Sequence, residues 1–280
     1  MANNLHTDKQ AAVIAALVEG NSLRSTVRMT GVHRTTILKL LVDLGTACEA
    51  YQDKAFRNLK LRRIQCDEIW SFVGCKEKNA RAKQKARGWG DIWTWTALDA
   101  ETKLVPSWYL GTRDATAAYW FIHDLKERLA NRVQLTTDGH KAYLSAIEDA
   151  FGADIDYAQL VKLYGEDPEA GKGSEKRYSP AECTGARKEV IQGDPDPKHI
   201  STSYTERHNL TMRMSMRRFT RLTNGFSKKV ANHKASLALY FMYYNFCRVH
   251  QTLRITPAMS AKVSDHVWSL EEVLALLGEK

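Results

Sequence analysis

The 280-residue sequence predicts an α/β protein: a mixed sheet with helices on both faces, preceded by an all-α segment. Three observations carry this. The first 55 residues show only helical periodicity and helix punctuation. From Ile64 the period changes to strand-like runs rich in Trp, Thr, Ile and Val. After three such runs the pattern becomes helix, strand, helix, strand. Three meandering strands followed by that alternation are the element order of a ribonuclease-H-like sheet.

Within residues 1–55, Thr7 can cap a helix running to Gly20, with Ala11, Ile14, Ala15, Leu17 and Val18 as its apolar positions. A short helix follows from Ser22 to Thr30. Gly31 makes a turn, and Val32-His33-Arg34-Thr35-Thr36-Ile37-Leu38 opens a third helix. Short helix, glycine turn and a Thr/Arg-rich helix start fit a helix-turn-helix, in which Arg34, Thr35 and Thr36 would face base edges. A helical bundle used for association is the plainer alternative.

Residues 56–63 form a basic connector. Ile64 to Val73, Asp91 to Leu98 and Lys103 to Leu110 read as strands, the first two joined by a basic loop from Lys76 to Arg87. Asp114 to Ala130 is an amphipathic helix. Val133 to Thr137 is a strand ending in Asp138-Gly139, His140 to Phe151 a helix, and Ile155 to Tyr164 a strand. Gly165 to Ser203, with four of the six prolines and five glycines, interrupts the pattern as an insertion. Helices are expected from Tyr204 to about Leu222 and from Lys229 to about Cys247. The domains are therefore 1–55, a catalytic domain over 56–262 carrying the 165–203 insertion, and a C-terminal helix in 263–280.

Charge gives the first functional clue. The chain carries +9 overall, yet from Arg207 through Ser264 there are eleven Lys and Arg and no Asp or Glu. A surface of one sign attracts a polyanion, and nucleic acid is the expected partner. The longest apolar run, Leu237 to Phe246, is too short to span a bilayer, and Met1 to His6 lacks the features of a signal peptide. Five cysteines without a CxxC pair argue against a disulfide scaffold and a zinc knuckle. A cytoplasmic, nucleoid-associated protein is expected.

Three carboxylates stand out. Asp67 lies in the first strand, Asp138 ends the fourth, and Glu206 lies in the first turn of the helix after the insertion. Each has a bland role: Asp67 as an edge charge, Asp138 as an Asp-Gly turn residue, and Glu206 as the last member of a Ser203-x-x-Glu206 capping box. Strand alternation sends Asp67 and Glu68 to opposite faces, so only one is expected in a shared site. Together the three can converge, because the first and fourth strands are neighbours in a ribonuclease-H-like sheet. Converging carboxylates suit Mg²⁺, with a pair of ions serving phosphodiester displacement. Six tryptophans from Trp70 to Trp120 read mainly as sheet core, and His140 and His208 as structural or DNA-facing residues.

The segments Gln65-Cys66-Asp67-Glu68-Ile69-Trp70-Ser71-Phe72, Thr136-Thr137-Asp138-Gly139 and Thr205-Glu206-Arg207-His208-Asn209-Leu210-Thr211-Met212-Arg213, with the tail Tyr244 to Pro257, resemble the DDE transposases of bacterial insertion sequences. The nearest branch is that of insertion sequence one. The resemblance covers roughly residues 60–262. It implies that Asp67, Asp138 and Glu206 are a catalytic, metal-binding triad for two Mg²⁺ ions, with Mn²⁺ able to substitute. The implied activity is cleavage at transposon ends and transfer of the freed 3′-hydroxyl into target DNA. The implied partners are double-stranded DNA, both terminal inverted repeats and target, with the chain acting as a homodimer or higher oligomer. Arg213, seven residues after Glu206, shares its helix face and would hold a phosphate, as would Asn209, with Arg217, Arg218 and Arg221 beyond. A nuclease that stops at hydrolysis and a catalytically silent DNA-binding regulator are the competing functions.

Overall fold

A computed structural model describes residues 5–164, 183–220 and 224–278. Three helices come first: α1 (Thr7–Val18), α2 (Leu23–Thr30) and α3 (Arg34–Ala55). Ser22 caps α2 by accepting from the Ser25 N–H, and Gly31 ends it in the left-handed region at φ 69°. His33, in extended conformation, is the N-cap of α3.

The sheet follows as β1 (Arg63–Val73), β2 (Gly90–Asp99) and β3 (Ser107–Gly111), then helix α5 (Ala115–Arg128), β4 (Gln134–Asp138), α6 (Ala142–Phe151) and β5 (Asp156–Tyr164). The basic loop between β1 and β2 contains a single helical turn, α4 (Ala82–Lys85). The insertion is not wholly irregular. It contributes a sixth strand, β6 (Cys183–Gln192), paired antiparallel to β5. The strand order is β3-β2-β1-β4-β5-β6, with β1, β4 and β5 parallel to one another and the rest antiparallel. Its first five members stand in the order expected of a ribonuclease-H-like sheet. The register β1–β4 runs from Arg63 opposite Gln134 to Cys66 opposite Thr137.

The remaining helices are α7 (Ser203–Ser215), α8 (Val230–Met242), α9 (Pro257–Ser260) and α10 (Leu270–Ala275). The helix expected to reach Leu222 ends earlier. Met216 turns extended and drops into the core, and a 3-10 turn, Arg217–Phe219, succeeds it. The last turn of the long C-terminal helix is π-helical, Tyr243–Cys247.

Alternation along β1 divides the core. Ile64 and Cys66 join Trp95, Ala97, Phe121 and Tyr143 on one face, whereas Ile69 joins Leu98, Met212 and Phe241 on the other. Helix α8 supplies side chains to both clusters and is buried almost all round. Helix α3 lies along it so closely that a Cβ on Gly45 would come within 2.5 Å of the Ala235 backbone. Only glycine permits that approach. The α1–α3 segment therefore shares its hydrophobic cluster with the sheet rather than enclosing a separate one. Among the described residues, no helix is long and apolar enough to cross a membrane.

Candidate active site

The parallel ladder between β1 and β4 stops at Cys66 and Thr137, and the next residue on each strand is an aspartate. Asp67 and Asp138 thus stand side by side at the carboxyl ends of adjacent parallel strands, where α/β sheets place their ligands. Glu68 is there as well, against the expectation from alternation. Oxygens of Asp67, Glu68 and Asp138 lie within 4.8 Å of one another. The physical reason is the end of β4. Past Asp138 no strand backbone separates the two faces of the sheet, so side chains leaving β1 in opposite directions meet around its tip.

Each carboxylate has a distinct setting. Asp67 Oδ1 accepts from the Glu68 N–H at 2.8 Å, and its Oδ2 accepts from Asn209 Nδ2 at 2.8 Å. Asp138 Oδ1 accepts from the His140 N–H at 3.0 Å, and its side chain is 37% exposed. The Glu68 side chain is buried and held at both oxygens. Arg113 Nε donates to Oε1 at 2.5 Å, and the Tyr143 hydroxyl donates to Oε2 at 3.0 Å. Arg113 also reaches to 3.7 Å from Asp138 Oδ2, over the ring of Trp93.

The electrostatics follow from this crowding. Burial first, then the charges of Glu68 and Asp138, push the Asp67 carboxyl up to about 7. Burial and Asp138 likewise raise Glu68, against the opposing pull of Arg113. A carboxyl whose pKa is higher in the folded chain than in the unfolded one keeps its proton longer in the native state. Its contribution to stability therefore falls as pH rises from about 4 to about 7 and stays low above that. Negative charge is concentrated here, only partly offset by Arg113, and an all-oxygen donor set of this kind suits a hard divalent cation.

Glu206 approaches from α7 on the Asp67 side of the sheet. The capping box expected from Ser203 does not form, because the helix begins one residue earlier: Thr202 is the N-cap and Ser203 the first helical residue. Glu206 instead accepts from the Thr202 hydroxyl at 2.5 Å and pairs with Lys162 of β5 at 2.7 Å. The capping role falls to a residue that no local pattern singles out. Gln65, two positions before Asp67 on the same face of β1, accepts from the backbone N–H groups of Tyr204 (2.8 Å) and Thr205 (3.3 Å). A strand side chain thus caps the helix that carries Glu206 and ties it to the strand that carries Asp67. Buried Thr205, Asn209 and Met212 complete the docking of α7.

The residues expected to contact DNA divide. Arg34, Thr35 and Thr36 are exposed at the start of α3, and Arg217 is exposed after α7. Arg213 is half-buried and already has an interaction partner. Asn209 is buried and committed to Asp67, so its amide orients a carboxylate rather than meeting a phosphate. Arg218 turns inward. Its Nε donates to Ser227 Oγ at 2.8 Å, and burial lowers its pKa to about 10. Its neighbour is His233, also buried. Arg221 lies outside the described residues. The loop cations Lys76, Lys78, Arg81, Lys83, Lys85 and Arg87 are all exposed. Of the tryptophans, Trp95 alone is wholly buried, donating from Nε1 to the Thr112 carbonyl at 3.0 Å, whereas Trp120 is 56% exposed. His140 stacks on Trp95 as a half-buried residue, and His208 packs against Phe241 and Tyr244 in the interior.

No protein-family model matches the chain, and no curated protein matches it. Among solved structures, the chain is similar to a piggyBac transposase in a synaptic complex with hairpin DNA. The identity is 12% and the TM-score 0.43, over 98% of this chain and 71% of that one.

Proposed function

We propose that the chain is a DNA transposase of the DDE type, close to the insertion-sequence-one branch. It would cleave a phosphodiester at each transposon end and transfer the freed 3′-hydroxyl into target DNA. The observation that carries this is the meeting of Asp67 and Asp138 at adjacent strand ends, with Glu206 on a helix capped from the Asp67 strand. In this reading Asp67, Asp138 and Glu206 would hold two Mg²⁺ ions, or Mn²⁺ in their place. When bound, such ions polarise the scissile phosphodiester and make the attacking oxygen a better nucleophile.

The chain's own side chains prepare that site. Asn209 fixes the rotamer of Asp67, and the His140 N–H fixes that of Asp138. Arg113 and Tyr143 brace the buried Glu68, which fixes its carboxylate beside Asp67 and Asp138. Lys162 neutralises Glu206 and must release it for Glu206 to serve as a ligand. In this reading residues 1–55 form a helix-turn-helix unit, docked on the catalytic body, and the active species is a dimer or larger oligomer on DNA.

The test uses purified protein, Mg²⁺ and labelled DNA taken from the sequences that flank its gene. Cleavage followed by joining to a second DNA supports the transposase. Cleavage without joining would make the chain a nuclease. Binding without cleavage in either Mg²⁺ or Mn²⁺ would leave a silent DNA-binding regulator.

DNA binding itself should separate two surfaces. Neutralising Lys83, Lys85 and Arg87 in the β1–β2 loop, or Arg217, should flatten the salt dependence by about 0.9 in slope for each phosphate no longer neutralised. Arg218→Ala should lower thermal stability without changing that slope, since its guanidinium faces Ser227. Arg34→Ala should weaken binding to the element's own end more than to random DNA. Filter binding across a salt series measures all of these, and equal losses on both DNAs would show that α3 does not read bases.

A further inference from the structure

Helix α7 has a second functional face. Glu206, Asn209 and Arg213 follow one helical stripe toward the carboxylates. Tyr204, His208 and Thr211 follow another, which opens on a separate cleft of about 350 Å³ between α7 and the segment after the π-helical turn. That volume lies at the small end of ligand pockets.

The cleft is electropositive. Lys103, Arg207 and Arg248 line it, and among the described residues none of the three has a carboxylate within ion-pair distance. Lys103 Nζ lies 3.3 Å above the Tyr204 ring, itself 45% exposed. His250, at the rim, has its pKa lowered by burial and by the charges of Lys103 and Arg248.

The inner wall is different in kind. His208 is 4% exposed, and neither of its ring nitrogens has a hydrogen-bond partner. The nearby Tyr240 hydroxyl is also buried and unpartnered. The Tyr244 ring stands 4.6 Å from His208 and adds an aromatic wall. An inorganic anion would meet the cations but leave the aromatic wall uncovered.

We propose that this cleft is a nucleotide-binding pocket, with the phosphate held by Arg207 and Arg248 and the base lodged against Tyr204 and Tyr244, beside the His208 ring. The nucleotide comes either from a DNA strand or from the free pool. The pocket is separate from the carboxylate cluster, because none of its lining residues is a candidate metal ligand.

The experiment is NMR of the full-length protein labelled at histidine, with the His208 ring signals assigned through His208→Gln. Deoxynucleoside monophosphates at about 5 mM, suited to millimolar affinities, should shift those signals saturably. Thymidine or inorganic phosphate alone should do so far less. Arg207→Ala and Arg248→Ala should each weaken binding about tenfold, the size expected for one charge-assisted hydrogen bond, while the other histidine signals report an intact fold. Asp67→Asn should leave this binding unchanged, which separates the pocket from the metal site. Competition by a short single-stranded oligonucleotide identifies a strand nucleotide as the occupant, and its failure identifies the free nucleotide. No shift with any nucleotide, an equal shift with phosphate alone, or indifference to both arginine variants would overturn the proposal.

Discussion

Replacing Asp67 by Asn is expected to abolish metal-dependent cleavage and, in the same molecule, to stabilise the fold. In the proposed reading, the first effect follows from removing a charged ligand. An amide is a poor donor to Mg²⁺, and a loss of about 1,000-fold in nicking corresponds to about 4 kcal/mol of transition-state stabilisation. The second follows from the burial of Asp67 and its crowding with Glu68 and Asp138, which together raise its pKa to about 7. A neutral amide removes that strain at pH 8, for a gain of about 2 kcal/mol, or about 5 °C in melting temperature. At pH 4, where the aspartate is protonated anyway, the gain should vanish. Asn209 can accommodate the change by turning its amide, since its Oδ1 has no partner in the wild-type arrangement. The measurements are melting curves of metal-free protein at pH 4 and pH 8 beside nicking assays in Mg²⁺ and Mn²⁺. A variant that melts lower at pH 8 would show that the Asp67 carboxylate is not strained, and one that still nicks would show that Asp67 is not a ligand.

The second large effect is expected at Glu206. Glu206→Gln keeps an acceptor for the Thr202 hydroxyl and loses only the pairing with Lys162, whose partners are 35% and 40% exposed. Such pairs contribute about 0–1 kcal/mol, so melting should barely move. Cleavage should still fall about 1,000-fold if the carboxylate is a ligand. Gln65→Leu supplies the contrast. It leaves the N–H groups of Tyr204 and Thr205 without their acceptor, at a cost of about 1–3 kcal/mol, and loosens the helix that carries Glu206. It should lower both melting temperature and cleavage, while the metal binding proposed at Asp67 and Asp138 persists. Normal melting with near-normal nicking in Glu206→Gln would remove Glu206 from the site. If Glu68→Gln alone then lost activity, the third ligand would be Glu68.

Much of this architecture was legible because it is written in local periodicity. The change from helical to strand-like pattern at Ile64, the Asp-Gly at the end of β4 and the glycine turn at Gly31 each act within a few residues of themselves. Their consequences, including the neighbouring strands that carry Asp67 and Asp138, follow from element order. The acid-free run from Arg207 to Ser264 was equally plain as composition.

Other features depend on residues far apart in the chain, and only the tertiary structure decides them. β6 lacks alternation because most of its residues are exposed, so its strand character comes from pairing with the edge of β5. Glu68 joins the carboxylates because β4 ends beside it. Arg218 looked like one more surface cation, yet it is turned inward by Ser227, nine residues away. Above all, the cap of α7 is a glutamine 139 residues earlier in the chain. Local sequence specifies which groups can make a hydrogen bond or carry a charge. Which partner each one meets depends on the whole fold, since a buried donor takes the nearest acceptor in space rather than in sequence.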